Sequence, residues 1–170
     1  MMNLDVNKTE LDGVLLIKPF TQFEDFRGNY IESYNEKAYK KAGITSDFIQ
    51  DDISTSKYNV LRGLHGDEKT EKLVTCPYGS LFFVAVNNNP LSKQYKKWFS
   101  TTLSDKNKLQ VYVPSNFAIG FLVVSEVGLF QYKQTTYYED CNQFTLAWND
   151  PQLNIAWPVD NPILSKRDMI

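Results

Sequence analysis

From Gly13 onward the chain is cut into short period-2 runs rich in Val, Phe, Tyr and Thr, and almost nowhere does it show the spacing of an amphipathic helix. Side chains alternate across a strand, so runs of this kind bury one face each and must pair in sheets. They place strands at Gly13 to Phe20, Gly28 to Ser33, Lys72 to Cys76, Ser80 to Val86, Trp98 to Leu103, Leu109 to Val113, Gly120 to Val124, Gly128 to Lys133 and Gln143 to Trp148. Turn chemistry separates them at Pro77-Tyr78-Gly79, Asn87-Asn88-Asn89-Pro90, Asp105-Lys106-Asn107 and Pro114-Ser115-Asn116. One peripheral helix is predicted over Glu36 to Ala42, with Asn35 as its N-cap and Gly43 as its stop. There is no internal repeat, low-complexity segment or linker. Residues 1–170 therefore read as one all-β domain, a jelly roll or sandwich closed enough to protect its edges, with a few short peripheral helices. The interior of such a barrel is where a small ligand would sit.

Composition removes several function classes. At 42% hydrophobic and 22% charged residues the chain is too apolar to be disordered. Eighteen basic against twenty acidic residues leave a net charge of −2, without the surplus that draws a protein onto nucleic acid. His65 is the only histidine, so a His-rich metal centre cannot be assembled within one subunit, and Cys76 and Cys141 stand far apart in no metal-binding or disulfide pattern. No metal or cofactor is expected, and the cysteine usage suits a reducing cytoplasm. Met1-Met2-Asn3-Leu4-Asp5 lacks a basic region followed by an apolar run, and no stretch approaches the roughly 18 apolar residues of a membrane span. Neither GxGxxG nor GxxxxGK[ST] is present, so a dinucleotide or ATP site lacks its signature.

The segment Val60-Leu61-Arg62-Gly63-Leu64-His65 sets an arginine three residues before the sole histidine. In an extended strand these two point to opposite faces, and they share a face only if the chain bends or bulges at Gly63. A neutral imidazole is a natural base near pH 7, and the ammonium of Lys72 could stabilise an enolate oxygen. By itself, a lone histidine more often satisfies a hydrogen bond in a core or turn. Tyr132 on a predicted strand is a possible proton donor, although any one of ten tyrosines is more often a packing residue. Asp168 falls in a mixed-charge stretch of the kind that usually forms a solvated tail. Arg27 and Arg62 suit bidentate contact with a diphosphate; salt bridges to Asp25 or Glu32 are the alternative.

In order, the motifs Asp25-Phe26-Arg27-Gly28, Phe48-Ile49-Gln50-Asp51, Val60 to His65, Lys72-Leu73-Val74, Val84-Ala85-Val86, Phe117 to Phe121, Gln131-Tyr132-Lys133 with Tyr137-Tyr138, Trp148 to Pro151, Ile155 to Pro158 and Leu164 to Asp168 span Gly13 to Asp168. As a set they resemble the dTDP-4-dehydrorhamnose 3,5-epimerase family, which has a cupin jelly-roll fold. The resemblance implies that His65 removes a proton next to a C4 ketone and that Asp168 fixes its tautomer. It implies that Lys72 stabilises the enolate oxygen and that Tyr132 returns a proton from the opposite face. Arg27 and Arg62 would hold a diphosphate, Gln50 and Tyr138 would border the nucleotide, and Glu32 joins the substrate-binding group. No cofactor is implied. Family members are typically homodimers that share site residues, and the apolar Gly13 to Phe20 strand suits a paired edge.

The chain departs from the family pattern at several positions. Ile119 stands where the family usually has a second histidine, and Gly66 and Asp67 where it has a bulky residue and Gln. Phe83 replaces a common acid, the stretch Asn87-Asn88-Asn89 takes the place of an arginine, and the Gln-Asp-Asn pattern reads Gln50-Asp51-Asp52. With the four catalytic positions kept, these changes suggest altered specificity: a 3- or 3,5-epimerase of a nucleotide-linked 4-keto-sugar in surface-polysaccharide synthesis, with a GDP-linked 4-keto-heptose as one candidate substrate. The alternatives are the dTDP-4-keto-6-deoxyglucose 3,5-epimerase of the rhamnose pathway, a nucleotide-sugar 3,4-ketoisomerase, and a non-catalytic sugar-nucleotide-binding cupin.

Overall fold

The computed structural model describes residues 4–19 and 22–170. Its strands are β1 (Asp5–Lys8), β2 (Leu15–Lys18), β3 (Gln22–Asp25), β4 (Gly28–Ile31), β5 (Gln50–Lys57), β6 (Leu61–Gly66), β7 (Lys72–Tyr78), β8 (Ser80–Asn87), β9 (Trp98–Ser104), β10 (Gln110–Val113), β11 (Phe117–Val123), β12 (Val127–Gln134) and β13 (Phe144–Thr145). Every pairing between these strands is antiparallel. One sheet runs β1-β2-β10-β7-β12-β5, a second runs β13-β6-β11-β8-β9, and β3-β4 form a separate hairpin. This is the all-β jelly-roll architecture that the period-2 pattern predicts.

The two large sheets face each other across an apolar core, and strand alternation decides which residues enter it. Odd-numbered residues of β11 (Phe117, Ile119, Phe121 and Val123) pack with Leu81, Phe83 and Ala85 of β8 and with Val74, Val111, Val113 and Phe130 of the opposite sheet. The other faces are also covered. Val84, Val86 and Ala118 lie under the C-terminal segment that carries Leu146, Leu153, Ile155 and Trp157. Ile17 and Leu73 lie under Tyr39 and Ile44, at and just beyond the α-helix α1 (Glu36–Lys41). Asn35 caps α1 as expected, accepting from the Ala38 N–H at 3.2 Å, and Gly43 follows its end at φ +93°.

Three expectations need adjusting. Gln143 to Trp148 contributes only the two-residue β13. β1, β3, β5 and β6 fall outside the predicted strands; β5 and β6 escape the pattern because Gln50 to Lys57 is polar at nearly every position and Gly63 interrupts the alternation of Leu61 to Gly66. The apolar Gly13 to Phe20 segment is no open edge, since β2 lies between β1 and β10 of its own chain; its predicted end at Phe20, like Met1 to Asn3, lies outside the described residues.

Candidate active site

The bulge required to bring Arg62 and His65 onto one face is present. Across β6 and β11, His65 pairs with Ile119 and Arg62 with Phe121, so Gly63 and Leu64 together oppose Gly120 alone. Gly63 holds φ +123°, and a Cβ there would stand 2.5 Å from the Gly120 Cα. Glycine is therefore demanded both by backbone angle and by space. As a result Arg62 and His65 line one cavity of about 310 Å³, together with Lys72, Ile119, Phe121, Phe130, Tyr132, Tyr138 and Asp168.

His65 Nε2 lies 2.7 Å from Oδ1 of Asp168, whose other oxygen accepts from the Ser165 hydroxyl at 2.7 Å. Asp168 is 2% exposed, so its stretch is no solvated tail. The segment is pinned by backbone bonds from Leu61 to Ile163 and from Ile163 to Asn59. A carboxylate at Nε2 selects the tautomer with its proton there and leaves the Nδ1 lone pair free to act as a base. Burial is the main cause holding the imidazole below its ordinary value, reinforced by Arg167 and opposed by Asp168. A neutral ring at neutral pH is what a base requires.

Lys72 and Tyr132 face the same cavity from β7 and β12. Lys72 is 7% exposed, its Nζ lies 4.8 Å from the Tyr132 ring centroid, and burial lowers its pKa. A desolvated cation of this kind interacts strongly with any negative charge that develops beside it. Burial, followed by the charge of Asp52, raises the Tyr132 phenol above its ordinary range, so it enters any reaction protonated. Phe121 and Phe130 stack at 4.2 Å beside these groups, with Phe83 behind Phe130 at 6.5 Å. A base, a buried cation and a protonated phenol around one apolar floor suit removal and return of a proton α to a carbonyl.

The model of the dTDP-4-dehydrorhamnose 3,5-epimerase family matches residues 8–170. The dTDP-4-dehydrorhamnose 3,5-epimerase of Escherichia coli (strain K12) is 42% identical over 170 residues, covering 97% of this chain and 91% of the relative. The chain belongs to this family. Its fold superposes on the dTDP-6-deoxy-D-glucose-3,5-epimerase of Legionella pneumophila, solved with dTDP-4-keto-L-rhamnose, at a TM-score of 0.91 and 37% identity, over 98% of this chain and 90% of that one. The dTDP-4-dehydrorhamnose 3,5-epimerase of Bacillus anthracis, solved with TDP and pyrophosphate, gives 0.93 and 35% over 98% and 97%. The protein is thus an isomerase-class carbohydrate epimerase with a cupin fold.

Within this epimerase, the four expected catalytic residues and Arg62 and Tyr138 converge, while three expected binding residues lie elsewhere. Arg27 is on the β3–β4 hairpin, its exposed guanidinium 2.5 Å from Asp25, and none of Phe23 to Ile31 lines the His65 cavity. Glu32, just beyond β4, is exposed and also outside it. Gln50 acts indirectly: its Oε1 accepts the Tyr138 backbone N–H at 2.8 Å and its Nε2 donates to Asp52 at 2.9 Å.

The structure adds residues that the sequence reading did not single out. Arg167 lines the cavity, held by Gln143 at 3.0 Å and Thr145 at 3.2 Å. Ser54 lines it from β5, and Ser56 accepts from Arg62 Nε at 2.9 Å. The departures sort by location. Ile119 puts an apolar wall directly opposite His65. Phe83 is core. Asp67 is buried and organises its own loop, accepting from the Lys69 and Thr70 N–H groups at 2.8 and 3.0 Å. Among the described residues, no group of three or more His, Cys, Asp or Glu could hold a metal ion, and no helix is long and apolar enough to cross a membrane.

Proposed function

We propose that the protein inverts C3 and C5 of a dTDP-linked 4-keto-6-deoxyhexose. The observation that carries this reading is the convergence of the His65–Asp168 pair, Lys72 and Tyr132 on one cavity. The nucleotide half is supported by the relatives, whose names specify dTDP sugars, one of them solved with dTDP-4-keto-L-rhamnose. These names favour the thymidine-linked alternative over a GDP-linked heptose. C3 and C5 both flank a C4 ketone, so one set of groups can serve either centre.

In this scheme His65 Nδ1 takes the α proton, and the C–H electron pair moves into the enolate. The Lys72 ammonium stabilises the oxygen's developing charge. Tyr132 gives its phenolic proton to the carbon from the opposite face; solvent then takes the proton from the imidazolium and restores one to the phenolate, resetting both groups. Arg62 and Arg167 supply the positive charge for a diphosphate. No net oxidation occurs, and no co-reactant is consumed.

A homodimer completes the site in this reading. The β3–β4 hairpin pairs only with itself among the described residues, and Phe23, Phe26 and Tyr30 are 61%, 99% and 65% exposed. An isolated two-stranded hairpin is marginal in water, so a second copy is its natural cover and would receive Arg27 and Glu32. Mixing inactive His65→Asn with impaired Arg27→Ala subunits should then restore activity, because each mixed dimer contains one intact site.

The deciding experiment is incubation in D2O with dTDP- and GDP-linked 4-keto-sugars. Deuterium entering C3 and C5 of the dTDP sugar is expected; exchange only with the GDP sugar, or with neither, overturns the reading.

A further inference from the structure

The register of β5 against β12 sets Asp52 directly opposite Tyr132, Ser54 opposite Phe130 and Gln50 opposite Gln134. Directly opposed residues hold their Cβ atoms about 4.5–5.5 Å apart on the same face of a sheet. Asp52 therefore stands beside Tyr132, on the face of β5 that also carries the cavity-lining Ser54. Its carboxylate is fixed, because Oδ2 accepts from Gln50 Nε2 at 2.9 Å while Gln50 Oε1 holds the backbone of Tyr138 at 2.8 Å. The phenol thus has the Lys72 cation 4.8 Å from its ring centroid and a carboxylate beside it. After burial, the charge of Asp52 and a hydrogen-bonding interaction with it are the next causes raising the Tyr132 pKa.

We propose that Asp52 is a positioning residue that restrains Tyr132 as proton donor, and so sets how often an enolate formed at His65 is carried through to the inverted sugar instead of being returned. This inference rests on the function proposed above. Delivering the phenolic proton to carbon leaves a phenolate beside a carboxylate, and like charges at that range disfavour the step. The enolate then partitions toward the imidazolium of His65. That group exchanges its proton with solvent and returns a solvent proton to the original face, giving labelled but uninverted substrate.

The test is the ratio of inverted product to deuterium-labelled, uninverted substrate at early times in D2O with dTDP-4-keto-6-deoxyglucose. Asp52→Asn keeps the side chain's shape and removes its charge; it should raise the ratio about three- to tenfold, as expected for loss of a neighbouring charge from a proton donor. In a Tyr132→Phe background the same substitution should change nothing. Asp52→Ser supplies the same readout if Asp52→Asn does not fold. A ratio that is unchanged or lower, or that moves equally without Tyr132, overturns the inference. Wild-type exchange with an unmoved ratio sinks only the role of Asp52, whereas no wild-type exchange sinks the proposed function and this inference with it.

Discussion

The imidazole Nε2 of His65 lies 2.7 Å from the carboxylate of Asp168, across 103 positions of sequence. The contact joins a bulged strand to the pinned C-terminal segment, and it leaves Nδ1 as the only ring nitrogen able to take a proton. Replacing Asp168 with Asn removes the selective acceptor while keeping the volume. kcat should fall by about 10²–10⁴-fold, the usual contribution of a positioned base, with ligand affinity little changed. Steady-state kinetics with calorimetric binding measures both.

The pH profile follows from the environment of each group. Burial lowers the His65 pKa below its ordinary value, so the midpoint of the acid limb of kcat/KM should lie below the ordinary imidazole pKa. Burial also lowers the Lys72 pKa from 10.5, so an alkaline limb should begin below that value as the cation is lost. The His65 shift also bears on stability. The unfolded chain binds the proton first, so this contribution is present above the ordinary imidazole pKa and is lost as pH falls through the window beneath it. Initial rates and thermal melts across pH report the two effects separately.

Lys72 takes part in none of the ion pairs among the described residues, and it is 7% exposed. Burying a cation costs free energy that the Tyr132 ring face and the nearby carboxylates offset only in part, and that a developing enolate charge would repay. Lys72→Met should raise the melting temperature by about 2–4 °C, corresponding to roughly 1 kcal/mol for a chain of this size. It should lower kcat by about 10²–10³-fold. Calorimetry and kinetics on the same preparation test the opposed signs.

Gly63→Ala would place a methyl group 2.5 Å from the Gly120 Cα at φ +123°. The variant should lose about 2 kcal/mol or more of stability. Because the bulge aligns Arg62 with His65, activity measured below the melting transition should fall as well. Denaturant unfolding alongside kinetics distinguishes this from a purely structural loss.

The scaffold strands are legible because β7 to β12 are rich in apolar, β-branched and aromatic residues, with β8 and β11 buried almost throughout. β5 and β6, which also border the cavity, are not. β5 turns Gln50, Asp52, Ser54 and Ser56 inward, reversing the usual alternation, and Ile53 outward at 60% exposure. β6 loses its period at Gly63, although that glycine, set between Arg62 and His65, was itself the signal for the bulge. The motif resemblance found His65, Lys72, Tyr132 and Asp168, whereas strand periodicity could not bring Asp168 or Arg167 to the site. Their placement depends on the parallel bridge between Val60 and Ile163, a contact between segments far apart in sequence. Arg27 is recognisable as a ligand-type residue, but its position on a hairpin away from the His65 cavity follows from the fold and not from the motif.

The central claim is that His65 abstracts a proton next to a ketone. Its most direct measurement is deuterium wash-in from D2O into dTDP-4-keto-6-deoxyglucose by wild type and His65→Asn, with nucleotide-sugar affinity determined for both. The account predicts exchange in the wild type, a loss of about 10²–10⁴-fold in the variant, and affinities that agree within about twofold, because the variant removes the base and leaves Arg62 and Arg167 in place. Equal exchange by the two proteins would contradict it.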